Sequence, residues 1–156
     1  MRRILLLATA AIAVTACKPK LADQPRVKDA WVRLSPVPGR PAAGYFELKG
    51  GTADDKLVGI DSAVVEKIEL HQSSMSGGMM TMTPIAEVAI PAGGKVEFSP
   101  EGNHAMLFGV NAAIKPGTAI PLLFHFASGK SFEAEAKTVA AGTEQGADHD
   151  MGGMAH

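Results

Sequence analysis

Between residue 27 and about residue 140 the apolar positions come in short bursts rich in valine, isoleucine and aromatics, separated by glycine and proline clusters every eight to twelve residues or so. Apolar residues at helical spacing are almost absent. The bursts predict strands over residues 28–34, 44–48, 57–60, 65–70, 79–84, 87–90, 95–98, 104–110, 120–126 and 131–139. The punctuation between them is turn chemistry: Pro36-Val37-Pro38-Gly39, Gly50-Gly51, Ser76-Gly77-Gly78, Pro91-Ala92-Gly93-Gly94, Pro100-Glu101-Gly102-Asn103 and Lys115-Pro116-Gly117. Many short strands in one domain-sized stretch predict an all-β antiparallel sandwich or barrel. No internal repeat and no interdomain linker interrupts residues 27–140, which are expected to form one domain.

The two ends break this pattern. Arg2 and Arg3 precede an eleven-residue apolar run, Ile4 to Val14, followed by Thr15, Ala16 and Cys17. Eleven helical residues span about 16 Å against a bilayer core of roughly 30 Å, so the run reads as an export signal rather than a membrane span. A cysteine directly after Val14-Thr15-Ala16 resembles a bacterial lipobox. Residues 1–16 are then a lipoprotein-type signal, Cys17 the lipidated mature terminus and residues 17–26 a tether; the alternative is an ordinary signal with a stray cysteine. Lys18 in the next position, rather than aspartate, leans toward the outer membrane in a cell with two. At the other end, residues 141–156 carry glycines and acids with no β-branched apolar residue after Thr143, and are expected to be a disordered tail.

Charge excludes one class of partner. Without Arg2 and Arg3 the chain holds 13 basic residues against 16 acids, a formal charge of −3, and shows no basic stripe for nucleic acid.

Chemistry concentrates in four residues spaced His71-x10-Met82-x21-His104-x-Met106. Thioether sulfur is a soft donor that favours Cu(I), and imidazole also binds copper. A site free of thiolate suits an oxidising compartment, since thioethers cannot be lost to disulfides. Met82 follows a glycine turn, and His71 has the parity of Lys67 and Glu69, on the polar side or at the exit of its strand. His104 and Met106 point the same way, about 6.6 Å apart along theirs. Phe108 and Val110 continue that face, which is expected to lead into the core.

Each of these residues taken alone is better explained by packing or a structural hydrogen bond than by a metal. The set argues otherwise: the seven methionines after Met1 fall in three places only, beside Gly77-Gly78, in His104-x-Met106 and in the tail, each with a histidine nearby. Met75, Met79 and Met80 are either spare thioethers that take copper in transit or packing. In the tail, His149, Met151, Met154 and His156 repeat the same ligand types, either as a solubilising segment or as an arm that binds further copper. His125, alternating with apolar residues and without a methionine near it, reads as structural or superficial.

The ligand spacing resembles the signature of the periplasmic copper chaperone family PCu(A)C. The likeness continues through Ala30-Trp31-Val32-Arg33, Ala43-Gly44-Tyr45-Phe46, Glu69-Leu70-His71, Ile90-Pro91-Ala92-Gly93-Gly94 and Gly102-Asn103-His104-Ala105-Met106-Leu107. The resemblance implies a cupredoxin-like β-sandwich holding one Cu(I) near its surface and passing it to the binuclear copper centre of a respiratory cytochrome oxidase. The expected partner is therefore a copper-receiving oxidase subunit or another copper-handling assembly protein, met at a periplasmic membrane surface where Cys17 is anchored. Gln72 stands where the family often has methionine. Copper scavenging or resistance by the same site is the alternative. Redox turnover at an enzyme's copper calls for more histidines, and a blue-copper carrier needs a cysteine ligand that this domain lacks.

Overall fold

All ten predicted strands form: nine of the apolar bursts supply side chains to a common interior, and residues 79–84 form a strand whose side chains are all exposed. The computed structural model describes residues 22–143. The signal segment, Cys17 and the tail residues His149, Met151, Met154 and His156 lie outside the described residues. The strands are β1 (Arg26–Arg33), β2 (Ala42–Lys49), β3 (Asp55–Asp61), β4 (Val65–Ser76), β5 (Met79–Pro84), β6 (Val88–Ile90), β7 (Lys95–Phe98), β8 (Asn103–Val110), β9 (Ala119–Phe126) and β10 (Ser131–Val139). No helix occurs among the described residues.

The strands run in the order β5-β4-β8-β7-β2-β1-β10-β9-β3-β6, with β2 pairing additionally to β8. Most pairings are antiparallel as expected, but β1 pairs β10 in parallel through Trp31↔Lys137, Val32↔Thr138 and Arg33↔Val139, and β7 meets β8 in parallel at Phe98↔Asn103. Neither pairing is made by a hairpin. The first joins the two ends of the domain, where no local turn signal exists to report it.

The continuous order coils into two facing layers. Phe46 of β2 packs edge-on against Phe124 of β9 with ring centroids 4.9 Å apart, although these strands are not neighbours, and Phe98 stacks on Phe46 at 4.2 Å. Val32, Leu48, Leu57, Ile90, Leu107, Ile120, Leu122 and Phe124 are completely buried between the layers. Each such side chain stabilises the fold by about 1.5–3 kcal/mol relative to exposure. Strand β9 shows the logic most plainly: Ile120, Leu122, Phe124 and Phe126 point inward while Pro121, Leu123 and His125 alternate outward.

Two irregularities place the functional region. In β1 an extra residue intervenes between the pairs Lys28↔Glu47 and Trp31↔Tyr45, with Asp29 at φ 50°, a β-bulge that sends Val32 inward and leaves Trp31 and Arg33 on the outer face beside Tyr45 and Ala43. Strand β4 runs six residues past its expected end at Leu70 and returns as β5 through Gly77-Gly78, both in left-handed conformation (φ 58° and 79°), the backbone a two-residue hairpin turn requires.

Candidate metal centre

Strands β4 and β8 lie side by side and antiparallel, and their register sets His71 directly opposite His104. On the alternating rungs Leu70 pairs with Ala105 and Ile68 with Leu107, and these face the core. Opposite partners in a ladder share a face, so His71, His104, Met106 and Phe108 occupy the other, outer surface. This corrects the expected course of β8 in part: Phe108 stays on the outer surface with the histidines, and only Val110, opposite the buried Val65 at the far end of the strand, packs against the core. Phe108 is half-buried under Lys67, whose Nζ sits 5.9 Å from the ring centroid. Apolar residues occupy both faces of β8, so alternation alone left its parity undecided, and the register with β4 decides it.

Though outward-facing, the histidines are sheltered. His104 is 2% exposed, the His71 side chain 13%, and their ring centroids are 5.9 Å apart at an interplanar angle of 37°. Each ring spends one nitrogen on the protein. His71 Nε2 donates to Glu69 Oε2 at 3.1 Å, and His104 Nδ1 donates to the Gly102 carbonyl at 3.2 Å. The other nitrogens, His71 Nδ1 and His104 Nε2, are buried with no hydrogen-bond partner. A buried polar atom left unpaired costs about 1–3 kcal/mol, so folding alone gives no reason for two of them on facing residues. With the donating nitrogens committed, the bare ones carry in-plane lone pairs, the arrangement of imidazoles that ligate a metal.

Electrostatics keep those lone pairs available. Burial is the largest influence on His104 and lowers its pKa below the usual 6.5; the Gly102 hydrogen bond opposes this, while His71 and Arg33 reinforce it. The ring is therefore neutral at neutral pH. Glu69 is held ionised by Lys67 and then by His71, both of which hydrogen-bond to it, so the acceptor behind His71 is a full carboxylate.

The thioethers come from both flanks. Met106 is half-buried on β8, between Glu69 of β4 and the small Ala43 of β2. Met82 stands on β5 opposite Ser73, on the same face as His71 and one like-facing rung away, and is 54% exposed. The Ser73 amide donates to the Gly102 carbonyl at 3.1 Å, so the same carbonyl orients His104 and secures the base of the hairpin. The structure thus brings His71, His104 and Met106 onto adjoining rungs, with Met82 on the flanking strand. Among the described residues no group of three or more His, Cys, Asp or Glu gathers as a metal site.

Met75, Met79 and Met80 are 67%, 73% and 52% exposed, which removes packing as their explanation. His125 sits apart on β9, with Nε2 2.8 Å from Asp61 Oδ2 and Nδ1 3.1 Å from Ser131 Oγ; both nitrogens are occupied, in keeping with a structural histidine. A further cluster, to which the sequence pattern assigns no role, lies beside the site. Trp31 and Tyr45 pack with centroids 4.5 Å apart, and Arg33 Nη2 donates to Tyr45 Oη at 2.7 Å with its guanidinium 5.4 Å from the ring. This cluster flanks Met106 on the outer face and brings a fixed positive charge toward His104.

Comparison with known proteins gives the family and the fold. Residues 26–138 match the LpqE-like family ("Putative lipoprotein LpqE-like"). "Putative lipoprotein Lxx21020" of Leifsonia xyli subsp. xyli is 32% identical over 114 residues, covering 72% of this chain and 68% of that one. Among solved structures, Cu(I)-bound DR1885 of Deinococcus radiodurans superposes with a TM-score of 0.59 at 25% identity, over 81% of this chain and 83% of that one. The copper-bound PCuAC domain of PmoF2 gives 0.63 at 17% identity, over 77% and 95%. The fold is that of the PCuAC, cupredoxin-like domains.

Proposed function

We propose, on the premise that this chain belongs to the LpqE-like lipoprotein family, that it is an extracytoplasmic Cu(I) chaperone anchored to a membrane through lipid on Cys17. Its cargo is held by His71 Nδ1, His104 Nε2 and the sulfurs of Met82 and Met106. The observation that carries this is the pair of bare, buried imidazole nitrogens on facing rungs, each fixed by a hydrogen bond from the other side of its ring. The lipoprotein names of its relatives and the Cu(I)-bound DR1885 structure support the anchor and the metal.

Four neutral donors leave the bound ion with its single positive charge, where thiolates would add negative charge and hold it far more tightly. Release follows the exposure of the ligands. Met82, on the edge strand, is open to an incoming thiolate or imidazole and exchanges first; Met106 follows, and the buried His104 lets go last. Copper stays Cu(I) throughout, so donor lone pairs are exchanged and no electron is needed. The acceptor in this proposal is the binuclear copper centre of a respiratory cytochrome oxidase, with the lipid anchor raising the local concentration at the membrane.

Cu(I) titration of the full chain against a competing chelator tests the site: one tightly bound ion that is lost in Met106→Ala supports it, and unchanged binding in that variant rejects it. Delivery is tested with an apo-oxidase subunit. The copper-loaded chain should fill it faster than free copper does, and equal rates would leave scavenging as the function.

A further inference from the structure

Among the described residues six large hydrophobic side chains are exposed, and four of them are Met75, Met79, Met80 and Met82 on the single hairpin β4–β5. Folding does not explain them. Strand β5 is an edge strand with every residue exposed, and β4 leaves its pairing with β8 at Gln72↔Asn103, so the hairpin tip pairs only with itself. Methionine has no special preference for strands, and no apolar layer covers these four.

The register sorts them. Rungs Met75↔Met80, Ser73↔Met82 and His71↔Pro84 share one face; the alternate rungs, Ser76↔Met79, Ser74↔Thr81 and Gln72↔Thr83, share the other. Three thioethers therefore lie on the face of His71, and Met79 alone lies among hydroxyl and amide groups. Directly opposed residues have β-carbons about 4.5–5.5 Å apart, and methionine has three freely turning bonds, so the Met75 and Met80 sulfurs can close on one soft ion. Like-facing rungs repeat every 6.8 Å or so, which puts that pair about 14 Å from the His71 rung, with Met82 midway.

We propose that Met75 and Met80 form a second, outer Cu(I) site on the hairpin, and that Met82 links it to the histidine pair as the next thioether inward. The linking role rests on the four-ligand site proposed above; the outer site does not. Copper moves inward by exchange, a new Cu–S bond to Met82 forming as a bond to Met80 or Met75 breaks, with no change in oxidation state.

The test is an anaerobic Cu(I) titration of the full chain carrying 13C-labelled methionine methyls, read by NMR together with the imidazole signals. After the first equivalent has shifted Met82, Met106, His71 and His104, the next should shift Met75 and Met80 together and leave Met79 in place. Outer binding should weaken at least about tenfold in Met75→Leu/Met80→Leu, since even the loss of a partner behind a ligand costs that much. Met79→Leu should retain it. Still signals from Met75 and Met80, a response confined to Met151 and Met154, or Met79 moving with its neighbours would each overturn the outer site. If the histidines and Met106 never respond while Met75 and Met80 do, the four-ligand site fails and the outer one stands. Filling of the histidine pair should be slower in the double leucine variant with its final affinity unchanged; equal rates would remove the linking role.

Discussion

His104 and His125 both lie on long strands among apolar neighbours, and they end in opposite chemical states. His125 faces outward on β9 with a carboxylate on one nitrogen and a hydroxyl on the other, so it has no lone pair to offer. His104 is buried beside His71, and each of these rings keeps one nitrogen bare. Residue type does not separate the proposed ligand from the structural histidine here. What separates them is whether the neighbouring strand supplies a hydrogen-bonding partner or a second imidazole.

The sharpest way to break this contrast is to remove one ring at a time. His104→Ala should weaken Cu(I) binding by more than about 100-fold in chelator competition, exceeding the 10–100-fold typical of losing a partner behind a ligand. His125→Ala should leave copper affinity unchanged; an equal loss in both variants would erase the distinction. Next in size is Glu69→Ala, which frees the His71 ring while keeping its bare nitrogen, and should cost about 10–100-fold in the same assay.

A pH series sharpens the contrast further. Burial lowers the pKa of His104 in the folded state below 6.5, so as pH falls the unfolded chain takes up that proton first. The contribution of His104 to apo-protein stability is complete above about pH 6.5, and it is lost as pH drops from there through the folded-state pKa. Thermal melts of the wild type and His104→Gln should therefore converge or cross as pH falls through this window; parallel curves would contradict the burial argument. The smallest effect is expected at the exposed pair: Asp61→Asn should change stability by under ~1 kcal/mol in denaturant unfolding and leave copper binding untouched.

Much of the fold was legible along the chain because it is local. Ten apolar bursts marked ten strands, and glycines in tandem marked the β4–β5 hairpin, whose left-handed turn admits little else. The parallel closure of β1 on β10 was not legible, since it joins residues with no turn between them. Nor was the facing of β8: Ala105 and Leu107 alternate with Met106 and Phe108, all apolar, and only pairing with β4 shows which pair looks inward. The roles of Trp31, Arg33 and Tyr45 were hidden for a similar reason, because a bulge at Asp29 shifts the phase of β1 partway along its length.

The sequence by itself supplied the proposed donor set, two imidazoles and two thioethers, and determined an all-β chain to carry them, because ligand softness and strand periodicity are properties of residues and their near neighbours. The tertiary structure decided that His71 meets His104 across one rung, that Glu69 and the Gly102 carbonyl take one nitrogen from each ring, and that Met82 stands open while His104 is closed off. Those facts depend on which strands become neighbours and in what register, and register is a long-range choice made by the shared core.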